Sequence, residues 1–494
     1  MAATEQDSFC NFAYFLCASF EAALKLAWSF YQEKCLVSQA VGLRSIPPSS
    51  FKMNSFASWI IRSLSLSHLI PSPQSSSRAS IQSASISING TSFLDHVTPI
   101  DGFFGQTFLK ENIPFIDIPD LNIQDVYYYR WSSIQRHLRY TVQGTGYIIT
   151  EFMQPVGYAQ ALNTIDAAAG HHIDEARWLR TQTYDDDYIL AYTRGPANST
   201  QYTNWILDAM FRRSQVNGDT KYSTDQLSDM TKLWGYWDYT FDSIAGLYYY
   251  TPNWDAQEYS LPGYIAAPTG GQLQYDGPDT YRPNVNAYMV GNARAISSVA
   301  TQAGDSRTAL NFSKLADQLE RSIGIHLWDP EQNFFVDVIR PNNPNLTKVQ
   351  GREEVGLFPY RFGVGLDSQY ANASVQQLFD PQGFLATYGP TTLEIRNQYF
   401  AATKPNSYCC YWNGQSWPFS TSHALKSLAA IYRNGSASLT ADQFVQYMDI
   451  YATTQHKNGL PYVAESHYPF LDQWSADSSN HSEHYQREYL MPIQ

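Results

Sequence analysis

Cysteine is scarce in this sequence. Five occur in 494 residues: Cys10, Cys17 and Cys35 near the N-terminus, and the adjacent pair Cys409 and Cys410. That distribution offers neither a disulfide framework nor the paired spacing of a zinc site. Uninterrupted apolar runs are also missing. Phe9 to Tyr31 is apolar but broken by Glu21 and Lys25, which makes it a poor membrane span and a poor signal peptide. Positive charge is in deficit, with 32 Lys and Arg against 45 Asp and Glu, a net charge of -13. No basic stripe offsets that field, which argues against nucleic acid or an anionic membrane as the main partner. A neutral ligand is indifferent to it.

Aromatic side chains are abundant: 36 Tyr, 12 Trp and 26 Phe. They are densest in Tyr408 to Leu425, YCCYWNGQSWPFSTSHAL, just before an apolar helical run. A pyranose offers an apolar C–H face for an indole and a rim of hydroxyls for amides, so Trp412, Asn413, Gln415 and Trp417 together suit a sugar site. The alternative is a buried aromatic corner at a helix N-terminus, with Pro418 in the first turn.

Residues 1–92 differ from the rest. The Ser/Pro tract from Pro71 to Ser87 has too little apolar side chain to offset the entropy of ordering, so this leader and linker are expected to be disordered. A second signal-like stretch begins at Met53. N-x-S/T sequons at Asn89, Asn198, Asn311, Asn345, Asn372, Asn434 and Asn480 lean towards the secretory route, a cytoplasmic protein being the alternative. Residues 93–494 are expected to form one domain, a monomer without a membrane span.

From Tyr202 onward the chain repeats a pattern of helix, turn, helix and aromatic turn. The first copy runs Tyr202 to Val216, turns at Asn217-Gly218-Asp219 and continues from Thr224 to Phe241. The second runs Val285 to Gln302, turns at Gly304-Asp305 and continues from Arg307 to Leu327; the third runs Ser422 to Tyr432, turns at Asn434-Gly435 and continues from Thr440 to Gln455. Apolar residues fall at helical spacing, and Gly-Asp stops one helix and caps the next. Such hairpins predict an all-α fold, an (α/α)6 toroid with minor β-hairpins in its connections. Before the repeat, Tyr147 to Phe152 reads as a strand and Ile173 to Arg194 as helical.

Carboxylates recur after these units: Asp255 and Glu258 after the first, Asp337 after the second, Glu465 after the third. In a ring, the connections converge on one mouth. Glycoside hydrolysis needs two carboxyl groups flanking the bond, one to protonate the leaving oxygen and one to activate water or attack. Inversion asks for a separation of roughly 6.5 to 9.5 Å. In WDAQEYS an acid sits among aromatics that can hold it protonated by limiting its solvation.

Four segments, WDAQEYS at 254–260, YRPNVNAYMVGNARAIS at 281–297, YWNGQSWP at 411–418 and LPYVAES at 460–466, together resemble the six-hairpin glycosidases. The nearest match is to the mannosylglycerate-hydrolase-like and family 63 glucosidase-like domains, over Ile113 to the C-terminus. The resemblance implies an inverting, exo-acting hydrolase of α-linked sugars that needs no cofactor or metal, with an oligosaccharide or glycoside as substrate. It implies Glu258 as general acid, Asp255 as the fallback and Glu465 as general base. Trp254, Asn286, Tyr288, Trp412, Asn413, Gln415 and Trp417 would line the sugar pocket. Family 63 carries an aspartate in a GLDNS-like sequence where this chain has AQEYS. Such domains also run on past the segment resembling 480–485 into a final inner helix, so a ring short of that helix, with reduced stability, is the expectation here.

Two further patterns look chemical. His172 and Glu175 lie i, i+3 on a helix, but no second such pair exists to complete a metal site. Asp185-Asp186-Asp187 lacks metal-binding spacing and reads as a solvated acidic face. A polysaccharide lyase using Tyr and His, and a carbohydrate-binding pseudoenzyme, are the alternatives to a hydrolase.

Overall fold

The computed structural model describes residues 95–475, apart from 142–144, 154, 160–161, 267–271, 402–410 and 437. The leader, all five cysteines, Asn89, Asn480 and the expected final helix lie outside the described residues.

Helices buried over most of their surface and helices buried along a single stripe alternate along the chain, and that alternation builds an inner and an outer layer. α1 (Gln106–Asn112) and α2 (Leu121–His137) precede a two-stranded hairpin, β1 (Leu138–Thr141) and β2 (Gly146–Ile149). Five helical hairpins follow. Their inner helices are α3 (Asp166–Ala176), α5 (Ile206–Asn217), α7 (Pro283–Gln302), α9 (Phe358–Arg361) and α11 (Pro418–Arg433). Their outer helices are α4 (Thr183–Thr193), α6 (Leu227–Gly235), α8 (Ser306–His326), α10 (Ser368–Leu378) and α12 (Ala441–Thr454). Every residue of α3 is buried, whereas α8 buries only Phe312, Ala316, Leu319 and Ile323, one stripe of its surface. α2 lies outside beside α12, with Asn122 bonded to Asp449.

The turns work as their residues predict. Gly218 and Gly304 take left-handed φ of 75° and 77°, and Asp219 and Asp305 then cap the next helix by accepting from Tyr222 N and Thr308 N.

Neighbouring inner helices are tied in sequence around the ring. Asn292 of α7 accepts from Asp208 N and donates to Asn204 O, joining α5. Arg294 of α7 donates to Phe362 O at 2.6 Å, and Phe358 of α9 stacks on His423 of α11 at 4.2 Å. Lys426 of α11 returns to Asp174 of α3 at 2.7 Å. The architecture is an (α/α)6 toroid with short hairpins in its connections.

Gly170 lets α3 and α5 approach: a Cβ there would stand 2.2 Å from the indole of Trp205, which is fully buried. Gly170→Ala is therefore expected to cost about 1–3 kcal/mol. A lowered urea midpoint with an unchanged slope would show it.

Two sequence expectations need correction. Ile173 to Arg194 is not one helix: the chain breaks at 177–182, where Arg180 N bonds Asn112 O of the preceding segment. No Gly or Pro marks that break, because a tertiary contact imposes it. The acidic triplet is not a solvated face either. Asp185 is fully buried, Asp186 pairs with Arg213, and Asp187 accepts from Tyr147 N. No helix among the described residues is long and apolar enough to cross a membrane.

Candidate active site

The segment 411–418 is bonded to both carboxylate loops. On one side Trp412 N donates to Glu258 O at 3.1 Å. On the other, Ser416 and His467 exchange backbone bonds of 2.8 and 3.0 Å, and Ser466 Oγ donates to Gln415 Oε1 at 3.0 Å. Glu258 and Glu465 are therefore held by one bridge although they lie far apart in sequence. Only glycine fits at the bend of the bridge. Gly414 has φ of 150°, and a Cβ on it would stand 2.9 Å from the Ala401 backbone.

The loop carrying Glu258 is strained on both sides of it: Ala256 and Tyr259 take left-handed φ of 61° and 58°. Arg282, at the start of α7, clamps its two ends, with Nη1 donating to Ser260 Oγ at 2.7 Å and Nε 3.1 Å from Asp255 Oδ2. Arg282 also lies 3.7 Å from Asp337 and 3.5 Å from Glu353, and Glu353 Oε1 accepts from Leu261 N. One buried guanidinium thus organises three carboxylates from two connections, Asp255 from the one before α7 and Asp337 and Glu353 from the one after α8.

Glu258 is half-buried, yet its carboxyl is enclosed enough that its pKa is pushed up to about 7. Burial is the main cause, and the charges of Glu465 and Asp255 add to it. The indole of Trp412 opposes this rise by facing the carboxyl, without closing a hydrogen bond of ordinary geometry. Glu465 is 7% exposed and close enough for its charge to act on Glu258. Asp255 is pushed up to about 6, by burial against the pull of Arg282 and Asn284. Its Oδ2 takes Asn284 Nδ2 at 2.7 Å and lies 3.1 Å from Arg282 Nε, which anchors it to the start of α7.

The other residues singled out from the sequence divide. Trp254 is 43% exposed on the Glu258 loop. Trp412 and Trp417 are buried and stack on each other, centroids 3.9 Å apart at 14°, so each takes one face of its partner. Trp417 donates its indole N–H to Tyr411 O, within the buried aromatic corner that was the alternative reading. Asn413 is buried and donates to Tyr399 O. Gln415 is buried, with Oε1 accepting from Ser466 and Nε2 meeting no hydrogen-bond partner among the described residues. Asn286 is fully buried and bonded to Tyr248 N, Tyr248 O and Arg282 O, and Tyr288, also buried, packs on Trp205, Phe362 and His423. Both brace the interior below the mouth.

Sequence reasoning missed Tyr202 and Tyr275. Tyr275 O accepts from Tyr259 N, next to Glu258, and Thr203, next to Tyr202, bonds Trp254 O on the same loop; desolvation and then the Glu258 charge raise the pKa of both phenols, Tyr202 to about 12. Among so many tyrosines nothing in the sequence distinguishes them. A separate cavity of about 340 Å³, lined by Glu320, Arg321, Ile325, Phe335, Asp367 and Tyr370, touches neither carboxylate. Among the described residues no cluster of His, Cys, Asp or Glu is placed to hold a metal ion. His171 packs on Trp205 and Phe419, and His172 bonds Tyr188.

The fold has counterparts. The family model of the mannosylglycerate hydrolase MGH1-like glycoside hydrolase domain matches residues 161–486. Among solved structures the chain is similar to a sialidase, at 29% identity and a TM-score of 0.70, over 78% of this chain and 34% of that one. The chain thus spans about a third of the sialidase. It is similar in fold to a GH63 mannosylglycerate hydrolase from Thermus thermophilus in complex with glucose: 12% identity, TM-score 0.54, 71% of this chain and 96% of that one. A rhamnosidase from Klebsiella oxytoca with rhamnose bound shares the fold at 10% identity and a TM-score of 0.50, over 74% and 62% of the two chains.

Proposed function

The chain belongs to the mannosylglycerate hydrolase MGH1-like glycoside hydrolase domain family, and from that premise we propose that it cleaves an α-linked glycosidic bond with inversion. Glu258 is the general acid and Glu465 the general base. The observation that carries this reading is the pair itself: a carboxyl that keeps its proton to about pH 7 beside a second carboxylate, both fixed by the 411–418 bridge.

In the reaction, Glu258 gives its proton to the glycosidic oxygen as the bond to the anomeric carbon breaks. Glu465 takes a proton from the water that attacks the opposite face. The strained backbone at Ala256 and Tyr259 and the Arg282 clamp fix the acid before substrate arrives, so little reorganisation is left for the reaction. Arg282 is buried and engaged with Asp255, Asp337 and Glu353, so among the described residues it offers no free positive charge to an acid sugar, and the charges that act on Glu258 are those of Glu465 and Asp255. A neutral sugar fits that field better than a uronate or a sialate, which speaks against the lyase alternative.

The test is a panel of 4-nitrophenyl α- and β-glycosides of mannose, glucose and rhamnose, with the α-linked disaccharides of these sugars, followed by proton NMR. The β-anomer of the released sugar is expected first from an α-linked substrate. Early release of the α-anomer would replace inversion by retention, and an unsaturated uronate product from a polyuronate would replace hydrolysis by elimination.

A further inference from the structure

Large apolar side chains left exposed are unusually dense between 236 and 275: Tyr236, Tyr239, Phe241, Ile244, Trp254 and Tyr275. Three rings in this region form a row. Tyr239 is 66% exposed and Trp254 43%, and Tyr250, buried at 4% exposure, lies between them with centroid separations of 6.5 and 5.5 Å. Trp237 supports Tyr250 from beneath at 5.5 Å.

The row is rigid at the backbone. Tyr250 exchanges both backbone bonds with Thr280, and Trp254 O accepts from Thr203 N at 2.9 Å. Tyr250 donates its hydroxyl proton to Tyr239 OH at 3.1 Å, which leaves the Tyr239 proton, among the described residues, to donate outwards. Preorganised rings with apolar faces and a hydroxyl at the rim suit a chain of pyranoses.

Trp254 stands on the loop that carries Glu258. The general acid protonates the oxygen that departs with the leaving group, so surfaces continuous with the acid's own loop meet the sugars on the leaving-group side. We propose that Tyr239 and Trp254, held apart by the buried Tyr250, form a binding surface for the leaving-group side of an α-linked oligosaccharide, making a chain of several sugars, rather than a small glycoside, the preferred substrate. The direction of that chain rests on Glu258 being the acid.

The experiment uses the full chain, Tyr239→Ala and Trp254→Ala. Affinity electrophoresis through gels containing yeast α-mannan, soluble starch or dextran is expected to retard the parent chain in at least one polymer. Both variants should lose most of that retardation. On the linkage the parent cleaves, kcat/KM should rise from disaccharide to tetrasaccharide, and each variant should reduce the tetrasaccharide-to-disaccharide ratio by about three- to tenfold. Retardation in none of the polymers overturns the proposal, as does cleavage indifferent to chain length. Retardation without cleavage of any glycoside would count against the hydrolase reading and leave the surface standing. A concentration-dependent dimer in sedimentation that Tyr239→Ala abolishes would reassign the row to self-association and overturn the proposal.

Discussion

Glu465→Gln should abolish turnover for every substrate, lowering kcat by about a hundred- to ten-thousandfold, because a water must be activated whatever leaves. Glu258→Gln should behave differently. A 4-nitrophenolate departs with little protonation, so activity on the aryl glycoside is largely kept, whereas a disaccharide, whose leaving alkoxide needs the proton, loses activity as severely as in the base variant. Steady-state rates of both variants on both substrate types check this, and equal losses on both for Glu258→Gln would remove it from the acid role.

The pH profile carries the same assignment. Glu258 acts only while protonated, so kcat/KM should fall as pH rises through about 7, the value to which burial and the Glu465 and Asp255 charges push its carboxyl. Asp255→Asn deletes one of those charges, which makes Glu258 easier to ionise. The alkaline limb should therefore move to lower pH in that variant. A limb that stays in place would mean that another group titrates there.

Three hairpins were legible because their turns are written in residues with a single purpose, such as Gly304 leaving one helix and Asp305 capping the next. The inner helix of the fourth was not. α9 is four residues long, too short to show periodicity, and only the ring around it makes it an inner element. The carboxylates could be located because each follows an aromatic turn. Which polar residues face the mouth was not legible, since burial on a fully enclosed helix leaves no polar stripe. Asn284 reaches Asp255 whereas Asn286, two positions on, is consumed by the Tyr248 backbone. The tryptophans show the same limit. Five positions apart across Gly414, they face one another only because that glycine takes a φ closed to other residues.

The ring's interior makes a stability prediction as sharp as the one on rate. Asp174 of α3 is fully enclosed and meets three cations: Arg177 Nη1 at 2.7 Å, Lys426 Nζ at 2.7 Å and the Arg361 guanidinium. Burial alone would raise its pKa, but Lys426, Arg177 and Arg361 together hold it well below the usual carboxylate range. Lys426 is strained the other way, its pKa pushed down to about 7 by burial and by the neighbouring Arg361. Removing Asp174 takes the shared carboxylate from two buried arginines and drives the Lys426 ammonium, already pushed down, to give up its proton. Asp174→Ala should therefore cost about 3–5 kcal/mol, read as a fall in urea midpoint at neutral pH. Removing Lys426 takes away the cation that burial penalises and leaves Asp174 its two arginines. Lys426→Met should accordingly be mild, within about 1–2 kcal/mol. Adding Lys426→Met to Asp174→Ala should restore part of the loss, because the buried amine left without its carboxylate is then replaced by an apolar side chain. Additive losses in that double-mutant cycle would show that Asp174 packs the interior rather than neutralises it.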